Sequence, residues 1–151
     1  MKLTSPAFKH QELMPSVYSC DGKSISPPLD WDELSNAVKS LALIMDDPDS
    51  SSYYVHWVIF NIPPSSSSLE ENISREANLP IGSRQGVNGS GRIGYTGPCP
   101  PSGTHRYFFK LYALDVFLDL DAGITKEDLV AAMQGHIVEQ TQLIGLYKRS
   151  R

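Results

Sequence analysis

Three groups of residues have types and spacings that could do chemistry. Asp47 and Asp49 bracket a proline in Asp47-Pro48-Asp49. His56 sits in a β-branched and aromatic run. His105 and Tyr107 stand two residues apart, directly behind the stiff stretch Gly97-Pro98-Cys99-Pro100-Pro101. A neutral imidazole offers one N–H, a protonated one two, and a tyrosine one O–H, so the histidines and the tyrosine together suit an oxyanion. A carboxylate would repel such a ligand. Asp47 therefore belongs against a histidine N–H, where it orients the ring and favours its charged form. Each residue also has a plainer explanation. Histidines at strand starts serve structure, aspartate and proline are turn formers, and Cys99 reads as a small, inert wall residue. Their conjunction makes the case for a site.

Positioning these groups takes strands. The apolar run Leu41 to Met45 stops abruptly at the acidic turn, as a buried strand delivering a loop would. Tyr54 to Ile62, ending at Pro63-Pro64, reads as a second core strand, and His105 to Leu114 as a third. Alternation places His56 on the face of Tyr54, Val58 and Phe60, with Trp57 opposite in the core, and gives His105 and Tyr107 a common face. Ser65 to Gly103, full of serine, glycine and proline, forms a long irregular loop, and such loops are commonly functional. One helix starts at Thr125, with Asp128 three residues on as its capping-box partner. Leu129, Ala132, Met133 and His136 share its inner face, Gly135 ends it, and Ile137 to Tyr147 supplies a final strand. The pattern predicts a mainly β chain with one late helix, a sandwich occupying residues 1–151 as a single domain.

A chain of 151 residues can bury a sufficient core without a disulfide or a structural metal. Cys20 and Cys99, far apart and without metal-ligand spacing, read first as a reduced pair, with a disulfide still open. The net charge of −4 argues against gripping a nucleic-acid backbone. Neither an export-type N-terminus nor an apolar run of about 18 residues is present, so the expectation is a cytoplasmic protein with no membrane span. His10 reads as a solvated surface residue and His136 as a cap on the helix C-terminus. Four histidines without paired ligands predict no metal site, and no cofactor is implied.

Several ordered motifs run almost the length of the chain. They are Cys20-Asp21-Gly22, Ser26-Pro27-Pro28-Leu29-x-Trp31, Asp47-Pro48-Asp49, Val55-His56-Trp57-Val58, Gly91-Arg92-Ile93-Gly94-Tyr95, the Gly97 to Tyr107 segment, Met133-x-Gly135-His136-Ile137 and Gly145-x-Tyr147. In this order and approximate spacing they resemble the phosphatidylethanolamine-binding proteins, in particular the bacterial, Raf kinase inhibitor-like branch. The resemblance implies a large antiparallel sheet packed on a smaller one, with a small anion pocket opening near the C-terminal helix. It also implies a ligand-binding set of Asp47, His56, Cys99, Pro100, His105 and Tyr107, with Asp49 bracing the loop. The chain departs from the family pattern at Ser50-Ser51, where Ala-Pro is common, which predicts a more polar and flexible rim. It departs again at Asn88-Gly89-Ser90-Gly91, which predicts a less packed edge.

The reading that follows is a non-enzymatic protein, with no catalytic residue, that binds phosphate, a phosphorylated small molecule, a lipid head group or a phosphorylated partner. Affinity should be higher near pH 6 than near pH 8. Two other readings stay open: a kinase or protease inhibitor acting through surface loops, and an Asp/His hydrolase. The hydrolase would lack a Gly-x-Ser-x-Gly elbow and have Cys99 as its only plausible nucleophile. Self-association into a homodimer also stays open.

Overall fold

The structure, a computed structural model, describes residues 1–149. In chain order its strands are β1 (Leu3–Thr4), β2 (Glu12–Leu13), β3 (Leu29–Trp31), β4 (Ser40–Asp47), β5 (Tyr54–Ile62), β6 (Ser68–Leu69), β7 (Arg84–Gln85), β8 (His105–Leu114) and β9 (Ile137–Tyr147). Among the described residues one α-helix, α1 (Lys126–Met133), lies between β8 and β9, and a single 3-10 turn spans Ser16–Tyr18. The architecture is mainly β, as the sequence predicts. A six-stranded sheet runs β2-β9-β8-β4-β5-β7, and a three-stranded sheet runs β1-β3-β6. The expected all-antiparallel pattern holds except at one edge, where β2 pairs parallel with β9.

The large sheet is covered on both faces. Leu41, Leu43 and Met45 of β4, with Tyr107, Phe109 and Leu111 of β8, pack against Leu3, Leu29, Trp31 and Leu69 from the small sheet. Ala42 and Ile44, with Val58 and Phe60 of β5, pack on the other face against Leu118 and against Leu129 and Met133 of α1. Burial on both sides is why β4 reads as an unbroken apolar run, and each fully buried large side chain contributes roughly 1.5–3 kcal/mol.

Thr125 opens α1 as expected: its hydroxyl accepts from the Asp128 amide (3.1 Å) while the Asp128 carboxylate accepts from the Thr125 amide (3.2 Å). The helix stops at Met133, earlier than the motif suggests, so His136 does not share its inner face. Nor does the His136 ring cap the helix; its Nδ1 donates to Asp115 (2.9 Å) and only its backbone amide reaches back to the Met133 carbonyl. His10 is exposed, as expected, and accepts from the Ile144 amide.

The reduced-pair expectation is overturned, because Cys20 and Cys99 form a disulfide across a sequence separation of 79. The long loop brings them together. Gly97 packs so closely on the Tyr18–Ser19 backbone that a Cβ would sit 2.4 Å from the Tyr18 carbonyl oxygen, and the Cys20 amide donates to the Pro98 carbonyl (3.0 Å). The proline-rich loop is thus held against the N-terminal turn by Gly97 and Pro98, directly ahead of Cys99.

Candidate functional site

A cavity of about 290 Å³ opens where β4, β5 and β8 meet the proline-rich loop, and it is lined by Asp47, His56, Cys99, Pro100, His105 and Tyr107. All six residues singled out for ligand binding therefore come together. Alternation from Met45 and Tyr107 puts Asp47 and His105 on the sheet face opposite α1, so the pocket does not open beside the helix as the resemblance implied.

His56 reaches the cavity through a local irregularity. Met45 pairs with Trp57 and Asp46 with Val55, which leaves His56 as an extra, unpaired residue on β5. Such a bulge re-aims a side chain. Val55 and Val58 face the helix side, while His56 turns to the side of Trp57 and meets Tyr107 edge to face, ring centroids 5.2 Å apart. The expected common face with Val58 and Phe60 is therefore wrong, and strict alternation failed at the residue that matters most. Trp57 is core, fully buried, with its indole N–H donating to Gln85 (2.7 Å).

The hydrogen bonds fix the tautomers. His105 Nδ1 donates to Asp47 Oδ2 and His56 Nδ1 to the Thr96 carbonyl, each at 2.7 Å, because neither partner can donate. In the neutral state each ring's single N–H is thus already engaged, and Nε2, bonded to no protein group among the described residues, presents a lone pair. Asp47 is equally occupied: its Oδ1 accepts from the amides of Asp49 (2.8 Å) and Ser50 (3.1 Å). Burial lowers the His56 pKa below its ordinary 6.5, partly offset by the Thr96 carbonyl.

Tyr107 is fully buried, and its hydroxyl has no hydrogen-bond partner among the described residues. Asp47 lies near, but no bond of acceptable geometry joins them. Burial first, and then the Asp47 charge, raise the phenol pKa, so the group stays protonated and able to donate. A buried hydroxyl left without a partner costs about 1–3 kcal/mol, a cost that a bound acceptor would remove.

Asp49 stands outside the cavity. It accepts from the Arg106 amide (2.8 Å) and from two guanidinium nitrogens (2.9 and 3.0 Å), and that pairing with Arg106 lowers its carboxyl pKa to about 2. These bonds clamp the acidic turn to the start of β8.

The sequence reading missed Tyr54, Ser90 and Thr96 as lining residues, whereas Ser50 lines the rim that was expected to be polar. Tyr54 was legible, since it shares His56's face two residues away. Ser50 and Ser90 fall at the two departures from the family pattern, and Thr96 gave no signal. The edge expected to be loose is filled: the Tyr54 ring lies where a Gly89 Cβ would be, 2.5 Å from its nearest atom, and the Tyr54 hydroxyl bonds Ser90.

A β-sandwich with a small, histidine-lined cavity beside a disulfide-braced proline loop defines the class. The sequence profile of the family described as phosphatidylethanolamine-binding protein matches residues 4–148. The chain belongs to that family. It is 58% identical over 150 residues to a UPF0098 protein of Methanothermobacter thermautotrophicus and 43% identical over 155 residues to one of Chlamydia muridarum, each alignment covering 99% of both chains. Among solved structures it resembles the Chlamydia trachomatis homologue CT736 (TM-score 0.91, 41% identity, 99% and 97% of the two chains). It also resembles Escherichia coli YbcL, described as a member of the mammalian PEBP family (TM-score 0.90, 27% identity, 99% and 98%). Relatives in archaea as well as bacteria widen the expected bacterial branch to the family as a whole. No helix among the described residues is long and apolar enough to cross a membrane.

Proposed function

We propose that the chain is a non-enzymatic binding protein whose cavity takes a phosphate group, free or at the end of a small phosphorylated molecule. One observation carries this reading: both imidazoles commit Nδ1 to the protein while Nε2 of each, and the Tyr107 hydroxyl, are left without a protein partner at one cavity. Three groups that can donate, with Asp47 already satisfied by other donors, suit a tetrahedral oxyanion. The volume lies at the lower limit of ordinary ligand pockets and fits a head group better than a whole lipid. The Cys20–Cys99 disulfide supports surroundings in which disulfides persist, in place of the reducing cytoplasm expected from sequence.

The tautomers set the sign of the pH dependence. An oxyanion without its own proton can bond Nε2 only after the ring takes up a proton, so binding is coupled to proton uptake and weakens as pH rises. Inorganic phosphate, phosphoethanolamine and sulfate are to be titrated at pH 6 and pH 8 while the histidine ring signals are followed by NMR. Sulfate does not titrate in this range and isolates the protein's contribution. Saturable shifts that are stronger at pH 6, and absent from a folded His56→Ala, His105→Ala double variant, are expected. Sulfate affinity that is flat or rising with pH contradicts the reading.

A second reading rests on the Asp47–His105 pair, which is also the arrangement of a general base. Inorganic phosphate released from a phosphomonoester by the wild type, and not by His105→Ala, would move the protein from binding to hydrolysis. Cys99 is not a nucleophile in that scheme, since its sulfur is in the disulfide.

A further inference from the structure

The Gly91-Arg92-Ile93-Gly94-Tyr95 motif takes no part in the phosphate cavity, yet it borders it. A second cavity of about 560 Å³ is lined by Ser24, Arg75, Asn88, Arg92 and Tyr95, among others, and shares Ser90 and Thr96 with the first. Among the described residues, Arg75 and Arg92 are the only charged ones lining it. Neither has a carboxylate within ion-pair distance among the described residues, in a chain whose net charge is −4. Elsewhere Arg106 is paired with Asp49 and Arg149 with Asp21, each at 2.9 Å, while Arg84 spends its guanidinium on the Leu120 carbonyl.

The Arg75 guanidinium and the backbone that carries Arg92 are also held in place. Arg75 donates from Nε to the Tyr95 carbonyl (2.9 Å) and from a terminal nitrogen to the Ser24 carbonyl. Its stem lies against Gly94, where a Cβ would approach Arg75 to 3.0 Å and where φ is +96°, so this glycine serves both the backbone turn and the arginine's position. The loop carrying Arg92 is closed by Asn88, whose amide donates to the Arg92 carbonyl (2.8 Å) and whose side chain donates to the Gly94 carbonyl (3.0 Å). Guanidiniums with unused N–H groups recognise carboxylate and phosphate.

We infer that this groove is a subsite for a second anionic group on the same ligand. The protein then selects a phosphomonoester bearing a carboxylate or a second phosphate, and discriminates against one bearing an ammonium group, phosphoethanolamine included. The inference rests on the phosphate-cavity reading and sharpens its ligand class.

The test compares ethyl phosphate, phosphoethanolamine, and ω-phosphorylated hydroxy acids of two to six carbons with the matching bisphosphates, by calorimetry at pH 6 and low salt, where exposed charges are least screened. At the best chain length the doubly anionic ligands should bind roughly three- to tenfold tighter than ethyl phosphate, as two exposed ion pairs would give. Phosphoethanolamine should bind more weakly than ethyl phosphate. On an Arg92→Gln variant the preference should collapse towards that variant's own ethyl phosphate affinity, whereas Arg149→Gln should retain it. Equal affinities across the wild-type series would overturn the subsite while leaving the phosphate cavity standing. If ethyl phosphate and inorganic phosphate themselves fail to bind, both readings fall together.

Discussion

Asp46 and Asp47 are neighbours on β4 and belong to opposite faces of the large sheet. Asp46, on the helix side, is buried; its Oδ2 accepts from Lys110 Nζ (2.9 Å) and the Tyr53 hydroxyl (2.5 Å), so its charge is answered by a cation. Asp47, on the cavity side, holds a histidine ring and two loop amides, and passes its influence to an Nε2 that nothing in the protein uses. The pair shows that burial of a polar group is not what marks a site. Asp46 Oδ1 is itself buried without a partner among the described residues, so an unspent acceptor does not mark a site either. What sets the Asp47 face apart is that its unused groups, Nε2 of His56 and His105 and the Tyr107 hydroxyl, line one cavity. The two faces are also closed differently: apolar packing under α1 covers one, and a proline loop fastened by a disulfide walls the cavity on the other.

The largest effect expected from this contrast is on the covalently fastened side. Removing the disulfide, by reduction or by Cys20→Ser with Cys99→Ser, should cost about 2–4 kcal/mol, the typical value for a disulfide, and loosen phosphate binding, as read from urea midpoints and titrations with and without reductant. If reduction changes neither, the bonds from Gly97 to Ser24 (2.8 Å) and from Tyr95 to the Tyr18 carbonyl (2.7 Å) suffice to hold the wall.

Next in size is the exchange of the two aspartates. Asp46→Ala leaves Lys110 and Tyr53 without their acceptor and should destabilise by about 1–3 kcal/mol while leaving the affinity of the folded protein for phosphate unchanged. Asp47→Asn keeps an oxygen for the loop amides but loses the charge behind His105, and should weaken phosphate binding about tenfold with a smaller loss of stability. Equal effects on both quantities from both variants would erase the distinction between the faces.

The smallest effects are those of pH. His56 has a lowered folded pKa, so the unfolded chain takes up the proton first as pH falls through 6.5. The contribution of the buried neutral ring is complete above that value and declines below it. Saturating sulfate, which requires the protonated ring, should flatten that decline in a thermal melt series from pH 8 to pH 5. Asp49, held at about 2 against an ordinary 3.8, contributes above 3.8 and is lost as pH falls through 2; solvent screening of its pairing with Arg106 keeps this term slight. Asp49→Asn should therefore lower the melting temperature slightly and uniformly from pH 8 to pH 5, with the difference from the wild type vanishing as pH falls from 3.8 towards 2.

What the sequence determined by itself follows from short-range rules. The strands Tyr54–Ile62, His105–Leu114 and Ile137–Tyr147 begin and end where composition and prolines place them. Thr125 and Asp128 form the predicted capping box, and the common face of His105 and Tyr107 follows from a period of two. The six lining residues were legible only through ordered motifs, because chain separation hides that positions 47, 56, 99 and 105 meet. Tertiary structure alone decided the rest. Pairing with β4 creates the bulge that turns His56 towards Tyr107, against the alternation of its own strand. Packing of Gly97 on the N-terminal turn brings Cys20 to Cys99. The Thr96 carbonyl and the Asp47 carboxylate select the tautomers, and so the pH sign, through contacts of 40 and 58 residues' separation. Such contacts depend on which segments become neighbours after folding, and no local periodicity records them.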